Sequence, residues 1–425
     1  MIRDHTIVCV ASNWFDHPTS KHHVMRHLAR HNHIVWLNYH ASRRPKLTGG
    51  DRALILRRLR QACCPMRRVA EGLDVMSPLL IPLPDVPLAR RLNGWLLAWQ
   101  IRRALYRLPR RPLQLWFFTP DAPELIQRMG AERVVYYCVD DFAGFSGFDT
   151  QLIERLERET IAQSDVVITT SAELYEGRQD RHRCVHFVPH GVDFEHFARA
   201  PQAQVPEELA AIRGPIFGFM GLIGDYVNLE LIADAARARR DWSFVLLGDV
   251  RCDAAAVDRL PNVHLLGGRP YDQLPGFCRG FDVGLIPFRM NRLTRAVNPI
   301  KLREYLAAGL PVVSSPLPEV QRYAPDVQVA ETLPEFLGAC ERALRSTSRG
   351  DRRRRQAVVR SEGWGARIAR LEHIVERLPA TGRIPGSVSV GTVAGETEGM
   401  PAAVSANQEC AAMGVGDAAA VLTAR

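Results

Sequence analysis

The chain has 425 residues, 46% hydrophobic and 24% charged, with a formal net charge of +9, which is core-forming material for two domains rather than one. Its nine cysteines include no C-x-x-C pair, and Cys63 and Cys64 are adjacent, so the pattern argues against a disulfide framework and against a zinc site; no metal is expected. No apolar run approaches the roughly 20 residues of a membrane span, and the opening "MIRDHTIVCVASNW" reads as a strand rather than a cleavable signal, which together point to a reducing cytoplasm.

A first strand, Thr6–Ala11, leads through the polar loop "SNWFDHPTSKHH" into a helix ending near His31, and "HIVWLN" (33–38) is the next strand. This is the β–α–β opening of a doubly wound sheet. The loop lacks G-x-G-x-x-G, which disfavours a nicotinamide or flavin site. Residues 43–111 then carry 16 Lys/Arg against 4 Asp/Glu, a local charge of +12 that leaves the rest of the chain slightly acidic. Within it, "RRLNGWLLAWQIRRALYRLPRR" (90–111) sets Leu92, Trp95, Leu96, Trp99 and Leu105 among arginines. That is the pattern of a helix lying on an anionic membrane surface, and equally that of a core helix with a solvated charged face. No nucleic-acid motif accompanies the patch, so nucleic acid is not an expected partner.

Strand character returns at "LQLWFF" (113–118), "RVVYYCV" (133–139) and "DVVITT" (165–170). The texture then changes at "ARAPQAQVPEELAAIRGP" (198–215), a candidate hinge, and the alternation restarts with "IFGFMG" (216–221), helix 228–239, "SFVLLGDV" (243–250), "NVHLLGG" (262–268), helix 271–279, "DVGLIPF" (282–288), helix 299–308 and "PVVSS" (311–315). Two successive α/β domains are implied, 1–198 and 199–360, followed by an amphipathic helix at 361–378, expected to cross back to the first domain, and a low-complexity tail, 379–425, expected to be disordered.

The stretch "NPIKLREYLAAGLPVVSS" (298–315) carries the most local information. Asn298 reads as an N-cap, Pro299 as a first helical residue, Gly309 as the helix stop and Pro311 as the block to resumption. Lys301 and Glu304 then share one helix face. They are either a surface ion pair worth about 0.3–0.5 kcal/mol or part of an anion site, in which a helix N-terminus and a cation stand beside a carboxylate that accepts hydroxyl hydrogen bonds.

Taken in order, "VPHGVD" (188–193), "GFMGLIGDYVNLE" (218–230), "NVHLLGGRPYDQLPGFCRGFDVGLIPF" (262–288) and "NPIKLREYLAAGLPVVSSPLPEV" (298–320) resemble the group-1 type of GT-B glycosyltransferase that builds bacterial exopolysaccharide and capsule. The resemblance spans about residues 5–378 and is most specific over 216–320. It implies two Rossmann-like domains facing across a cleft, a nucleotide-sugar donor held by the second and a lipid-linked or oligosaccharide acceptor by the first, with no cofactor and no metal requirement. By the same resemblance Glu304 accepts hydrogen bonds from the nucleotide ribose, while Asn298, Pro299 and Lys301 at the helix start hold the diphosphate. Gly221 and Gly224 let backbone approach the donor, or serve only a tight turn. Asp249 stands either at the ligand end of its strand or as a helix N-cap.

Two departures accompany the resemblance. Retaining relatives have an acidic residue eight positions before Glu304, where this chain has Ala296. The usual Arg and Lys near the first strand of the donor domain are also missing, which turns attention to Arg289, Arg292 and Arg295. On the acceptor side, Asp141, favoured slightly over Asp140, follows "YYCV" and could deprotonate an acceptor hydroxyl, or either could be a cap or a buried hydrogen-bonded aspartate, with His190 of "PHGVD" as rival catalytic or donor-contacting group, or a structural hinge. Ser20, Lys21 and His22 open the first helix on the acceptor side. The expectation is a cytoplasmic glycosyltransferase, peripheral on the inner membrane face, serving surface polysaccharide synthesis. A nucleotide-sugar 2-epimerase and a non-catalytic nucleotide-sugar-binding assembly protein are the alternatives.

Overall fold

The computed structural model describes residues 1–39 and 66–379. They form two compact units, Met1–Val188 with the chain from Ile368 onward, and Pro189–Arg367. The first part of the basic segment and the tail from residue 380 lie outside the described residues. The first unit ends at Val188, ahead of the Ala- and Pro-rich stretch read as a hinge; that stretch instead packs within the second unit.

The first unit is built on eight strands: β1 (Thr6–Ala11), β2 (His33–Asn38), β3 (Arg67–Ala70), β4 (Leu73–Met76), β5 (Leu113–Phe117), β6 (Arg133–Cys138), β7 (Val166–Thr169) and β8 (Val185–Phe187). Their order is β3-β4-β2-β1-β5-β6-β7-β8, parallel throughout except where β3 turns back on β4. β1 is buried along its whole length, as a parallel strand covered on both faces must be. Among its described residues, and before the last helix, the helices of seven or more residues are α1 (Ser20–Leu28), α2 (Pro87–Leu105) and α3 (Thr150–Gln163). The β3–β4 hairpin was not apparent in the sequence, because its strands are only four residues long and one is solvated. Its turn rests on Gly72 at φ +67, where a Cβ would lie 2.5 Å from the Ala29 carbonyl oxygen.

The second unit has six strands: β9 (Ile216–Met220), β10 (Ser243–Leu247), β11 (Val263–Leu265), β12 (Val283–Ile286), β13 (Val312–Ser314) and β14 (Val327–Val329). All pair in parallel, in the order β11-β10-β9-β12-β13-β14, which is the 3-2-1-4-5-6 order of a dinucleotide-type sheet. Its helices of seven or more residues, before the last, are α4 (Leu229–Ala238), α5 (Leu274–Gly280), α6 (Ile300–Ala308), α7 (Leu333–Arg345) and α8 (Arg349–Val359). The helix expected over 271–279 opens as a 3-10 turn, Tyr271–Gln273, before α5. The arginine run forms α8, a helix of its own.

The last helix, α9 (Trp364–Glu376), begins in the second unit and from Ile368 belongs to the first. Inside the first unit it is fastened to the chain start, where Ile2 N–H donates to Glu372 Oε1 at 3.2 Å, and to β6, where Arg133 Nη2 donates to the Leu378 carbonyl at 3.2 Å. Among the described residues, no helix is long and apolar enough to cross a membrane.

Candidate functional site

In sheets of the second unit's order, ligands bind beyond the carboxyl ends of the strands, where the strand order reverses. Here that point lies between β9 and β12. The loops leaving these strands are zipped together, with Asn228 N–H donating to the Pro287 carbonyl at 2.7 Å and Arg289 N–H to the Tyr226 carbonyl at 2.8 Å. α6 starts beside them. Lys301 Nζ donates to Glu304 Oε2 at 2.8 Å, with the Glu304 side chain 4% exposed and that of Lys301 26%. The ion pair predicted from the spacing therefore forms, but it is set into the fold rather than on a solvated face. Tyr305, one residue on, accepts from Met220 N–H at 2.7 Å through its hydroxyl and so ties the helix to the end of β9.

Gly221 follows β9 at φ +148, and a Cβ placed there would stand 3.7 Å from Lys301 Cε. That is ordinary contact distance, so it is the positive φ that calls for glycine, with its backbone beside the lysine. Gly248, at the end of β10, is pressed closer still: a Cβ there would lie 1.8 Å from the Gly221 carbonyl oxygen. Only glycine fits that contact, which joins residues far apart in the chain and so has no local sequence signature. Gly224 packs under the Tyr226 ring, where a Cβ would come within 2.8 Å, so a structural duty for it is visible.

Several sequence expectations need correction. Asn298 is not an N-cap. Pro299 occupies the N-cap position of α6, with no side-chain capping hydrogen bond, because Asn298 is drawn into a buried polar network: its Nδ2 donates to Glu319 Oε2 at 3.0 Å and its Oδ1 accepts from Arg303 Nη1 at 2.5 Å. Arg303, wholly buried, also donates from Nε to Glu362 Oε2 at 2.6 Å, and Tyr323 Oη donates to the same oxygen at 2.9 Å. These partners lie far along the chain, which is why the local pattern misled. Asp249 caps no helix either; a bridge from Val250 to Ile223 and then turns follow it, and its exposed carboxylate pairs with Arg251 at 3.5 Å. Of the three arginines before α6, Arg289 is paired with Glu230, while Arg292 and Arg295 are exposed on a short capped helical turn, Arg292–Arg295. Ala296 is buried at the end of that turn.

In the first unit the order reverses between β1 and β5. Lys21, one residue into α1, donates from Nζ to Ser12 Oγ at 2.5 Å, and Ser12 directly follows β1. Asp140, two residues beyond β6, is the carboxylate whose field Lys21 feels most. Burial pushes the Asp140 carboxyl up to about 7, with Lys21 opposing and the Asp141 charge reinforcing the rise. Burial likewise pulls the Lys21 ammonium below its ordinary value, with Asp140 pushing back. Thr119, just past β5, is buried and its Oγ1 has no hydrogen-bond partner among the described residues. Neither Ser12 nor Thr119 stood out in the sequence, since isolated hydroxyls in polar loops carry no pattern.

Asp141 turns the other way. Its carboxylate is buried 3.8 Å from Arg178 Nη2, and Arg178 also donates to Glu157 Oε1 at 3.0 Å and 2.8 Å, an oxygen shared with the Tyr136 hydroxyl at 2.7 Å. His22 is also removed from any solvent-facing role. Its Nδ1 accepts from Thr19 N–H at 3.0 Å, which leaves Nε2 to donate to the Trp14 carbonyl at 3.1 Å. Its ring sits 4.9 Å from both Trp14 and Trp36, and burial pulls its pKa down to about 3. Ser20 is buried beside it. His190, in the second unit, is buried with its ring 6.2 Å from Trp364, against a segment held by Val192 N–H to the Glu362 carbonyl at 3.0 Å.

α2 presents two apolar faces. Leu97, Ala98, Ile101 and Ala104 are buried, whereas Leu88, Leu92, Trp95 and Trp99 are exposed, the tryptophans at 62% and 58%. Arg128 lies over the Trp95 ring at 5.2 Å and Arg103 over Trp99 at 5.9 Å. Among the described residues no group of three or more His, Cys, Asp or Glu is arranged to hold a metal ion.

Residues 214–345 match the family described as Glycosyl transferases group 1. The chain is 29% identical over 280 residues to TuaH of Bacillus subtilis (strain 168), named as a teichuronic acid biosynthesis glycosyltransferase, covering 59% of this chain and 68% of that protein. Among solved structures it is similar to sucrose-phosphate synthase from Thermosynechococcus elongatus (TM-score 0.63, 14% identity, 88% of this chain and 99% of that one). It is also similar to Anabaena HepE in complex with UDP and glucose (TM-score 0.61, 12% identity, 88% and 100%). The chain therefore carries a group 1 glycosyltransferase domain, and it is a glycosyltransferase of the GT-B fold.

Proposed function

We propose that this glycosyltransferase moves a sugar from a nucleotide-diphosphate sugar to a lipid-linked saccharide during surface polysaccharide synthesis, at the cytoplasmic face of an anionic membrane. The observation that carries the donor assignment is the grouping, at the strand-order reversal of the second unit, of Lys301, buried Glu304, the uncapped start of α6 and the bare backbone of Gly221. A helix start with a cation one residue in is suited to a diphosphate, and a buried carboxylate beside it to ribose hydroxyls. The HepE structures hold UDP with glucose and UDP-glucose, and TuaH is named for polysaccharide synthesis, which supports the same reading.

In this scheme the acceptor hydroxyl oxygen attacks the anomeric carbon, the bond from that carbon to the diphosphate oxygen breaks, and the hydroxyl proton passes to a carboxylate of the first unit. Asp140 is assigned that role over Asp141 and His190, because its proton affinity lies near neutrality and Lys21, held to the end of β1 through Ser12, acts on it by its charge. The charge that develops on the leaving diphosphate is met by Lys301 and the N–H groups of α6. No metal and no cofactor is invoked, so transfer is expected to survive chelation. The exposed leucines and tryptophans of α2, among arginines, would bring the enzyme to a lipid-linked acceptor. The test is thermal stabilisation by a panel of nucleotide sugars, which raises the melting temperature by mass action. Stabilisation that Glu304→Ala abolishes supports the site; stabilisation untouched by it removes the donor assignment.

A further inference from the structure

A second concentration of positive charge lies elsewhere in the second unit, around α8. A cavity of about 470 Å³ is lined by Thr347, Arg349, Arg352, Arg353 and Gln356 on one side, with Ala198, Pro201 and Gln202 opposite. Positions 349, 352, 353 and 356 are spaced so that all four project from one helix face. No carboxylate lines the cavity. Asp351, the acid nearest in sequence, accepts from Ser348 Oγ at 2.7 Å and from Arg354 Nη1 at 2.7 Å. Arg349, Arg352 and Arg353 have no ion-pair partner among the described residues, whereas Arg354 and Arg355 on the same helix are both engaged.

The face is also held in place. Arg355, buried, donates from Nε to the Gly309 carbonyl at 3.0 Å and from Nη2 to the Ser346 carbonyl at 2.9 Å, which pins α8 to the end of α6. Gln356 donates to the Ala307 carbonyl at 3.0 Å. The stem of Arg352 lies against Gly309, where a Cβ would be 2.2 Å from its Cγ. Three like charges on adjacent turns repel one another. A surface cavity on an anchored helix that gathers these three exposed arginines without a counter-charge is complementary to a ligand with several negative oxygens, which guanidinium groups bind in pairs.

We propose that this cavity is a binding site for a small anion bearing two or more phosphate charges, separate from the donor site. It lies at the Gly309 end of α6, whereas Lys301 stands near the other end, about 12 Å away along the axis, and Glu304 at mid-helix, about 7–8 Å away. Phosphate of this kind is available as a free metabolite or as a lipid headgroup; the cavity is assigned to the free form, and vesicles in the test separate the two.

The probe is inorganic pyrophosphate titrated into the full chain by calorimetry. Two binding events are expected. Arg349→Gln/Arg353→Gln should weaken one at least tenfold and leave the other intact, and Lys301→Ala should do the reverse. Arg360→Gln, which removes the same type of charge from the end of α8 outside the cavity, should change neither. A single event, insensitive to the arginine pair, overturns the site while leaving the donor reading standing. Loss on Arg360→Gln equal to that on the pair means a diffuse charge effect and also overturns it. Binding of anionic vesicles through the arginine pair, with no response to pyrophosphate, would assign the face to lipid and sink the proposal.

Discussion

The two units place a lysine and a carboxylate at the ligand end of a parallel sheet in different ways. In the second, Lys301 and Glu304 sit on one turn of α6 and bond directly at 2.8 Å. In the first, Lys21 comes from α1 and Asp140 from the loop after β6, and the lysine donates instead to Ser12. A pair on one helix turn is satisfied before any ligand arrives, which suits a binding site whose charges must stay ionised. A pair drawn from separate elements leaves the carboxylate partly desolvated and unsatisfied, which raises its proton affinity and suits proton transfer. If the contrast is right, damage to the first pair should fall on turnover and damage to the second on binding.

The largest effect should come from Asp140→Asn. Removing a general base typically costs about 10²–10⁴-fold in rate, and donor affinity should stay near normal. Asp141→Asn should retain most activity, because that carboxylate serves Arg178, and should show itself as a lower melting temperature. Should Asp141→Asn be the dead variant and Asp140→Asn the active one, the assignment of roles is reversed and the contrast between the units breaks.

Next in size is Glu304→Ala. Ribose hydroxyls would lose a charged acceptor, a type of hydrogen bond worth about 1.5–3 kcal/mol, so nucleotide affinity should fall roughly 10- to 150-fold. Lys301→Ala should weaken a nucleoside diphosphate but not a free nucleoside. Equal losses for the two ligands would reduce the lysine to a scaffold for Glu304.

How much of each site could be read in the sequence follows from the same contrast. Lys301 and Glu304 were visible because three-residue spacing on a helix is a local fact, and Gly309 was visible because its positive φ, +81, ends the helix as glycine usually does. In "YYCVDDF" the slight preference goes to Asp141, whereas we assign the base to Asp140, since what separates the two is Arg178 and Glu157, residues of later elements. Asn298 was misread for the same reason: Arg303 and Glu319 outcompete the helix N–H groups for its side chain. The strand alternation of the fold was legible wherever runs were long and apolar. It failed at β3, where Arg67 and Arg68 form a solvated edge that carries no apolar signal.

A smaller effect, a shift rather than a loss, tests the electrostatics of the first pair. A base must be deprotonated to act, so with the Asp140 carboxyl at about 7 the rate should rise tenfold per pH unit below that value and level off above it. Lys21 holds this value down, while Asp141 and burial hold it up. Lys21→Met should therefore move the rising limb to higher pH with little change in the plateau. A limb that stays in place, or moves to lower pH, would show that the lysine does not act on Asp140 through its charge.

The last prediction concerns α2, where the effect on chemistry should be smallest. Trp95 and Trp99 are exposed one turn apart, in line with Leu88 and Leu92, and each indole is covered by an arginine. Attraction of basic groups to an anionic surface is worth roughly 1 kcal/mol each and is screened by salt, whereas burial of an indole is nearly indifferent to salt. Wild-type protein should therefore sediment with anionic vesicles at low salt and in part at high salt. Trp95→Ala/Trp99→Ala should bind only at low salt, while turnover of a short water-soluble acceptor analogue stays unchanged. A core helix with a merely solvated outer face predicts the opposite pattern. Its tryptophans would be dispensable for vesicle binding, and any binding at all would vanish with salt in wild type and variant alike.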